Sequence, residues 1–181
     1  MNKVKYAIPF FLFFLSVQSQ NSGVEKSIYN IQTGFLGFWI NNESRLSNEI
    51  SLRSEIGLDA GFQGCSECDT KYALAPVITL EPRWYYNIEK RNLINRGTNN
   101  SANILALGIK YHPDWFVLSN DDYAYVSNQI SIIPKWGIRR MIGNSNFNYE
   151  AGIGIGYKYY FDENFSEATA DLHLRIGYTF K

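Results

Sequence analysis

The sequence predicts an all-β fold, an antiparallel barrel of about eight strands, on three observations. Apolar and polar residues alternate with period two along segments longer than the roughly five or six residues of an ordinary strand. The apolar side of each segment is nearly free of charge, while the other side mixes Gly, Ser and both signs of charge. Aromatic residues make up 16% of the chain, with 13 Tyr, 12 Phe and 4 Trp, and several stand beside segment ends. Lipid outside and a small polar lumen inside account for all three, so the barrel is read as transmembrane.

The N-terminus reads as a secretory signal over residues 1–19. Lys3 and Lys5 precede the apolar run Ala7–Leu15, and Val17 and Ser19 occupy the small-residue positions before a cleavage point. A run this short cannot cross about 30 Å of hydrocarbon as a helix. Residues 20–181 then form the barrel domain. Residues 28–41 give a first, less regular strand. From Leu46 to Phe62 the apolar row Ile50, Leu52, Ile56, Leu58 opposes Ser51, Arg53, Glu55, Asp59. Residues 71–87 set Ile78, Leu80, Trp84 and Tyr86 against Thr79, Glu81, Arg83 and Tyr85. The same pattern recurs at 105–111, 123–139, 149–159 and 170–180.

This gives seven strands. Bacterial single-chain barrels have an even number with both termini on one side, so eight is the expectation, with one strand missed or two merged. Pro76, Pro82 and Pro134 each remove a ladder donor, and bulges are expected there. Trp39 before a turn at 41–45, Trp84 and Tyr86 before the polar stretch 87–100, Trp136 before a turn at 141–146, and Phe180 form one interfacial girdle. Segments 62–70, 112–122 and 162–167 are then the loops of the opposite, external side.

The lumen set is Glu49, Arg53, Glu55, Asp59, Glu81, Arg83, Lys110, Lys135, Arg139, Glu150, Lys158, Asp171, His173 and Arg175. Its signs nearly balance, which favours pairing across a filled interior over an open pore, because unpaired buried charge is costly. The whole chain carries 17 basic and 17 acidic residues. That balance excludes nucleic-acid binding driven by bulk charge.

Few groups suggest chemistry. Cys65-Ser-Glu-Cys68 reads first as a loop disulfide in an oxidising compartment, ahead of free thiols and of a redox or zinc pair, for which His112 and His173 lie far off in sequence. His173 alternates with Asp171 and Arg175, so ion pairing in the lumen is preferred over a hydrolytic base. His112, beside Pro113 and Asp114, reads as a loop hydrogen-bonding group. Arg139 and Arg140, with Lys90, Arg91 and Arg96, suit either phosphate headgroups or solvated turns, the latter preferred. Asp121-Asp122 and Asp162-Glu163 are acidic pairs of a kind that bridges divalent cations, and they are equally ordinary in turns. Gly152, Gly154 and Gly156 read as small lumen-facing residues that permit curvature.

The closing stretch Leu172–Lys181, ending in Tyr178-Thr179-Phe180, together with Leu80–Asn87, Trp136–Arg140 and Tyr149–Phe161, resembles the small barrels of the OmpA/OmpX-like outer-membrane superfamily. The resemblance covers essentially all of residues 20–181. It implies a place in the bacterial outer membrane, contact with its lipid, and recognition of the terminal strand by the barrel assembly machinery, with Lys181 standing one residue beyond the usual final aromatic. The resulting expectation is a structural or surface-interaction barrel with no catalysis, no cofactor and no nucleic-acid partner, its external ligand left open. A lipid-modifying enzyme built on His173 and a narrow channel or small-molecule carrier are the alternatives.

Overall fold

The structure, a computed structural model, describes residues 23–63, 71–121 and 123–180. The segment 1–19, Cys65, Cys68, Asp122 and Lys181 lie outside the described residues, and with them the signal and disulfide expectations.

Nine antiparallel strands are described: β1 (Ser27–Gly34), β2 (Gly37–Arg45), β3 (Ile50–Gln63), β4 (Lys71–Trp84), β5 (Asn103–His112), β6 (Leu118–Ser119), β7 (Gln129–Met141), β8 (Phe147–Tyr160) and β9 (Phe165–Phe180). The sheet closes into a ring, because β1 pairs with both β2 and β9 while β3 pairs with β4. Eight long strands make the ring; the two-residue β6 only adds to β4 at Ala73 and Leu74. A short helix α1 (Ile88–Leu93) and a single 3-10 turn (Thr98–Asn100) lie between β4 and β5. No described helix is long and apolar enough to cross a membrane.

The segment 28–41 is therefore a hairpin of two strands. Gly34 pairs with Gly37 around a two-residue loop, Phe35-Leu36. Gly37 has φ +142°, and a Cβ there would run into the Leu58 carbonyl; only glycine takes this conformation freely. Across such a loop the inward phase flips, from Ile28, Asn30 and Gln32 on β1 to Trp39, Asn41 and Glu43 on β2. One strand read straight through the loop looks irregular for that reason. The next turn falls at 46–49, not 41–45, where Leu46 and Ser47 N–H both donate to the Ile50 carbonyl. Here the phase is kept, so Leu46 and Asn48 mimic an early start for β3. Likewise β7 begins at Gln129, and residues 123–128 belong to the preceding loop.

Pro82 and Pro134 lapse without bulging. The β4–β5 pairs at Leu80↔Ile109 and Arg83↔Ala106 keep one register on both sides of Pro82, and β7–β8 does the same around Pro134. Pro76 pairs in unbroken register with Leu58. A missing N–H costs one or two rungs of the ladder, but no residue is inserted beside Pro82 or Pro134, so the bulges expected there are absent. Beside Pro76 the β3 edge is unbroken, while the other edge of β4 passes from Tyr111 of β5 to Leu118 of β6 with extra residues between them.

The ring is polar inside and apolar outside. Leu172, Leu174 and Ile155 are 67–70% exposed, whereas Arg53, Arg139 and Glu150 are at most 1% exposed. One end, here the capped end, holds the turns at 46–49 and 142–146 and the connection 85–102, which folds over the interior. Tyr85, Ile88, Ala102 and Ile104 cluster there with Val24, all buried. The cap carries Asn95, Asn99 and Asn100 at positive φ, a conformation asparagine tolerates better than most residues. The other, loop end holds the turns at 35–36, 113–128 and 161–164.

Aromatics ring both ends. At the capped end Trp84, Trp136, Phe147 and Phe180 face out, with Tyr178 edge-on to Phe147 and Phe180 at 5.1 and 4.8 Å. At the loop end Phe35 stacks on Phe62 at 5.1 Å and Tyr159 meets Phe161 at 5.3 Å. Trp39 belongs to neither girdle. It lies on the inward phase of β2, nearer the loop end, and is 3% exposed. Its place in the girdle is corrected for the same reason as the merged hairpin.

Candidate functional site

The inward rows bring the expected lumen charges together. Glu150 on β8 is the hub, accepting two arginine forks at once. Arg53 Nη2 and Nη1 donate to its Oε2 and Oε1 at 2.8 and 3.1 Å, and Arg83 Nη2 and Nη1 donate to Oε1 and Oε2 at 2.7 and 3.0 Å. Bidentate charge-assisted pairs of this kind are the strongest ordinary hydrogen bonds. A second hub, Glu43 on β2, lies nearer the capped end. Its Oε1 accepts from Ser51, Tyr85 and Asn100 at 2.9, 2.6 and 2.6 Å, and its Oε2 accepts from Arg139 at 3.0 Å. Two of these donors come from the cap, so the cap is held by the same network that fills the ring.

Toward the loop end the ions continue in a chain. Glu81 takes Arg83 and Lys135, each at 2.5 Å; Lys135 and Lys110 reach Asp171 at 3.6 and 2.7 Å. Arg175 donates to Glu55 at 2.7 Å and lies 3.7 Å over the Trp39 ring. Trp39 Nε1 in turn donates to Asp59 at 2.7 Å, and His112 Nε2 meets the other Asp59 oxygen at 3.0 Å. Among the described residues the interior thus holds six carboxylates (Glu43, Glu55, Asp59, Glu81, Glu150, Asp171) against six cations (Arg53, Arg83, Lys110, Lys135, Arg139, Arg175). The charges of this set cancel, as burial demands.

Beyond this packed zone the inward residues shrink to Gly61, Ala73 and Ala75, leaving a cavity of about 340 Å³ against Trp39, Asp59, Lys110, His112, Asp171 and His173. His173 Nδ1 meets Asp171 at 2.8 Å and its Nε2 faces Glu150 at 3.6 Å. Among the described residues no hydroxyl or thiol is hydrogen-bonded to either nitrogen, so the relay a nucleophile requires is not assembled there. Lys158 lies at the rim, 3.8 Å from Glu167.

Two residues of the expected set differ in place or partners. Glu49 is in the 46–49 turn, outside the lumen, where its Oε2 accepts from Trp84 Nε1 at 3.0 Å. Period two carries on through the four turn residues before β3 begins at Ile50, which gives Glu49 an apparent inward phase. Arg139 is fully buried on Glu43, apart from its neighbour Arg140, which points to the outer side of β7. Of the acidic loop pairs, Asp121 is taken by Lys71 at 2.8 Å, and that donor together with the Tyr123 N–H holds its carboxyl below the usual range. Glu163 accepts from Ser127 at 2.9 Å. Sequence reading missed Glu43, Gln32 and Asn100. Glu43 and Gln32 sit on the unrecognised hairpin, and Asn100 lies in a connection that carries no periodicity.

The glycine row of β8 makes room for the largest interior side chains. A Cβ on Gly152 would stand 2.5 Å from His173 Cε1, and one on Gly154 would stand 2.6 Å from Lys135 Cβ and 2.7 Å from the Pro134 carbonyl. Backbone cannot yield as a side-chain tip can. Gly154→Val is expected to destabilise the fold by about 1–3 kcal/mol through overpacking, read as a lower urea midpoint. An unchanged midpoint would mean the row is not tightly packed.

Comparison with known protein families, with curated proteins and with solved structures returned no match.

Proposed function

We propose that this chain is a β-barrel of the bacterial outer membrane, of the OmpA/OmpX-like kind, that acts structurally or by displaying its loops to a partner. One observation carries the reading: an outer wall made mainly of Leu, Ile and aromatic side chains, with Thr33, Asn42, Ser44 and Ser54 its few polar members on β1 to β3, encloses a neutralised ionic interior. In water both halves would be unfavourable, since soluble monomers rarely expose apolar patches above a few hundred Å². In a bilayer both are satisfied, with the two aromatic belts at the interfaces. A soluble barrel would have the opposite polarity. Strands β3, β4, β7, β8 and β9, at 13–16 residues, exceed the roughly 9–11 that a tilted spanning strand needs. β5 and β2, at 10 and 9 residues, fall within that range, and β1, at 8, is one residue short of it.

Ion pairs and the cap fill the lumen, which favours a plugged barrel over a channel. At the loop end Trp115, Tyr123 and Tyr125 are 67–90% exposed, and large exposed aromatics of this kind favour contact with a partner. The test is extraction of membranes from expressing cells. The folded protein is expected to stay in the alkaline carbonate pellet, to be released by detergent, and to run differently on a gel before and after boiling. Recovery in the carbonate supernatant would end the reading.

A further inference from the structure

At the capped end, outside the ring, three arginines face one another with no acid between them. Arg91 from α1, Arg96 from the loop after it and Arg140 from the end of β7 line a crevice of about 490 Å³, together with Thr98, Asn144 and Ser145. No carboxylate lines it among the described residues. Arg91 donates to the Ser101 carbonyl and to the Arg96 carbonyl, the latter at 3.0 Å. Arg140 donates to the Arg139 carbonyl at 2.7 Å and to Asn103 Oδ1 at 2.5 Å. Every one of these acceptors is neutral. The Arg96 guanidinium makes no hydrogen bond or ion pair among the described residues.

We infer that this crevice is an anion site, built to take a phosphate group between Arg91, Arg96 and Arg140. Guanidinium forks match phosphate oxygens in geometry and charge, and the Thr98 hydroxyl and the Asn144 amide supply further donors. Like charges assembled without a counter-ion repel one another, which a bound dianion reverses. Burial, then Arg140, then Arg96 pull the Arg91 guanidinium below its ordinary pKa, consistent with an uncompensated positive centre. The height of the crevice bears on the source of the phosphate. Asn103, which accepts from Arg140, donates to the Tyr86 hydroxyl at 3.0 Å, and Trp136 Nε1 donates to the same oxygen at 3.0 Å. The crevice therefore adjoins the aromatic belt, the level at which lipid headgroups lie under the membrane reading.

Binding is measured on the folded chain in neutral detergent. One arm titrates inorganic phosphate, the other phosphatidic acid against diacylglycerol with the same acyl chains. Arg96→Gln is the principal variant, since it removes no described bond, and its gel mobility before and after boiling reports folding. Arg96→Gln/Arg140→Gln is the second. The expected result is saturable binding that weakens with salt and falls about tenfold on losing Arg96. Binding of phosphatidic acid alone assigns the group to a headgroup, and competition by inorganic phosphate assigns it to a free anion. Equal binding by the chain and Arg96→Gln in both arms, or no binding in either, overturns the site. The inorganic-phosphate arm needs no bilayer, so failure of the extraction test would leave it standing.

Discussion

Glu150→Gln is expected to cost about 3–5 kcal/mol of stability, the range for removing one member of a buried ion pair. The substitution preserves shape and volume and removes one charge. Each arginine fork loses one of its two acceptor oxygens to an NH2 that cannot accept, and the interior moves from balance to an excess of one positive charge. Arg83 keeps the Glu81 carboxylate at 2.5 Å, but Arg53 retains only the carboxylates of Glu55 and Glu43, at 3.6 and 3.7 Å. The loss is measured as the shift in the urea unfolding midpoint of the protein in detergent or lipid, followed by gel mobility without boiling. A change below about 1 kcal/mol, the size of a surface pair, would mean that the interior is open to water and its charges screened. Arg53→Leu/Glu150→Leu is expected to restore only part of the loss, because Arg83 still lacks its two-pronged acceptor and keeps Glu81 alone at close range.

Leu174→Arg probes the other face, and its sign discriminates. Leu174 is 67% exposed near the middle of β9. If the wall meets acyl chains, arginine at this depth costs about 2–4 kcal/mol. The cost should decline along the strand, so that Phe180→Arg, at the belt, loses only about 0–1 kcal/mol of insertion energy beyond its packing. In water an exposed leucine replaced by arginine changes stability by no more than about 0.5 kcal/mol. Refolding into phosphatidylcholine vesicles, with both variants titrated against urea, gives the comparison. A flat profile near zero would contradict the membrane assignment directly.

The alternation was legible wherever a strand ran without a phase change. The facing of Arg53, Glu81, Arg83, Lys135, Glu150, Asp171 and Arg175 follows from period two alone, since successive side chains must point to opposite sides. Legibility failed at two tight turns, for different reasons. Phe35-Leu36 has neither Asn nor Asp, and its flanking glycines resemble strand positions, so β1 and β2 fused and Trp39 was assigned to the wrong end. The 46–49 turn preserved phase and drew Glu49 into the lumen by extrapolation. The arginine crevice was half-visible. The sequence groups Arg91, Arg96, Arg139 and Arg140 by their place at one end, but only the fold separates Arg139, whose charge is spent on Glu43, from Arg140. No pattern in the sequence indicates that 85–102 turns back to cover the interior, because its buried residues Tyr85, Ile88 and Asn100 follow no single period.

The pairing of β1 with β9 bears on how such a chain can assemble. Arg175, near the C-terminus, finds Glu55 and Gln32 across separations of 120 and 143 residues, and Glu150 waits on Arg53 and Arg83 from the first half of the chain. An incomplete cylinder would therefore carry stranded ions along its unzipped seam, and under the membrane reading hydrocarbon would be the worst place to leave them. Contacts this remote in sequence form slowly. The last strand's arrival and the neutralisation of the lumen are thus one event, and a partly wound intermediate needs water or a protein template at its open flank until that event occurs.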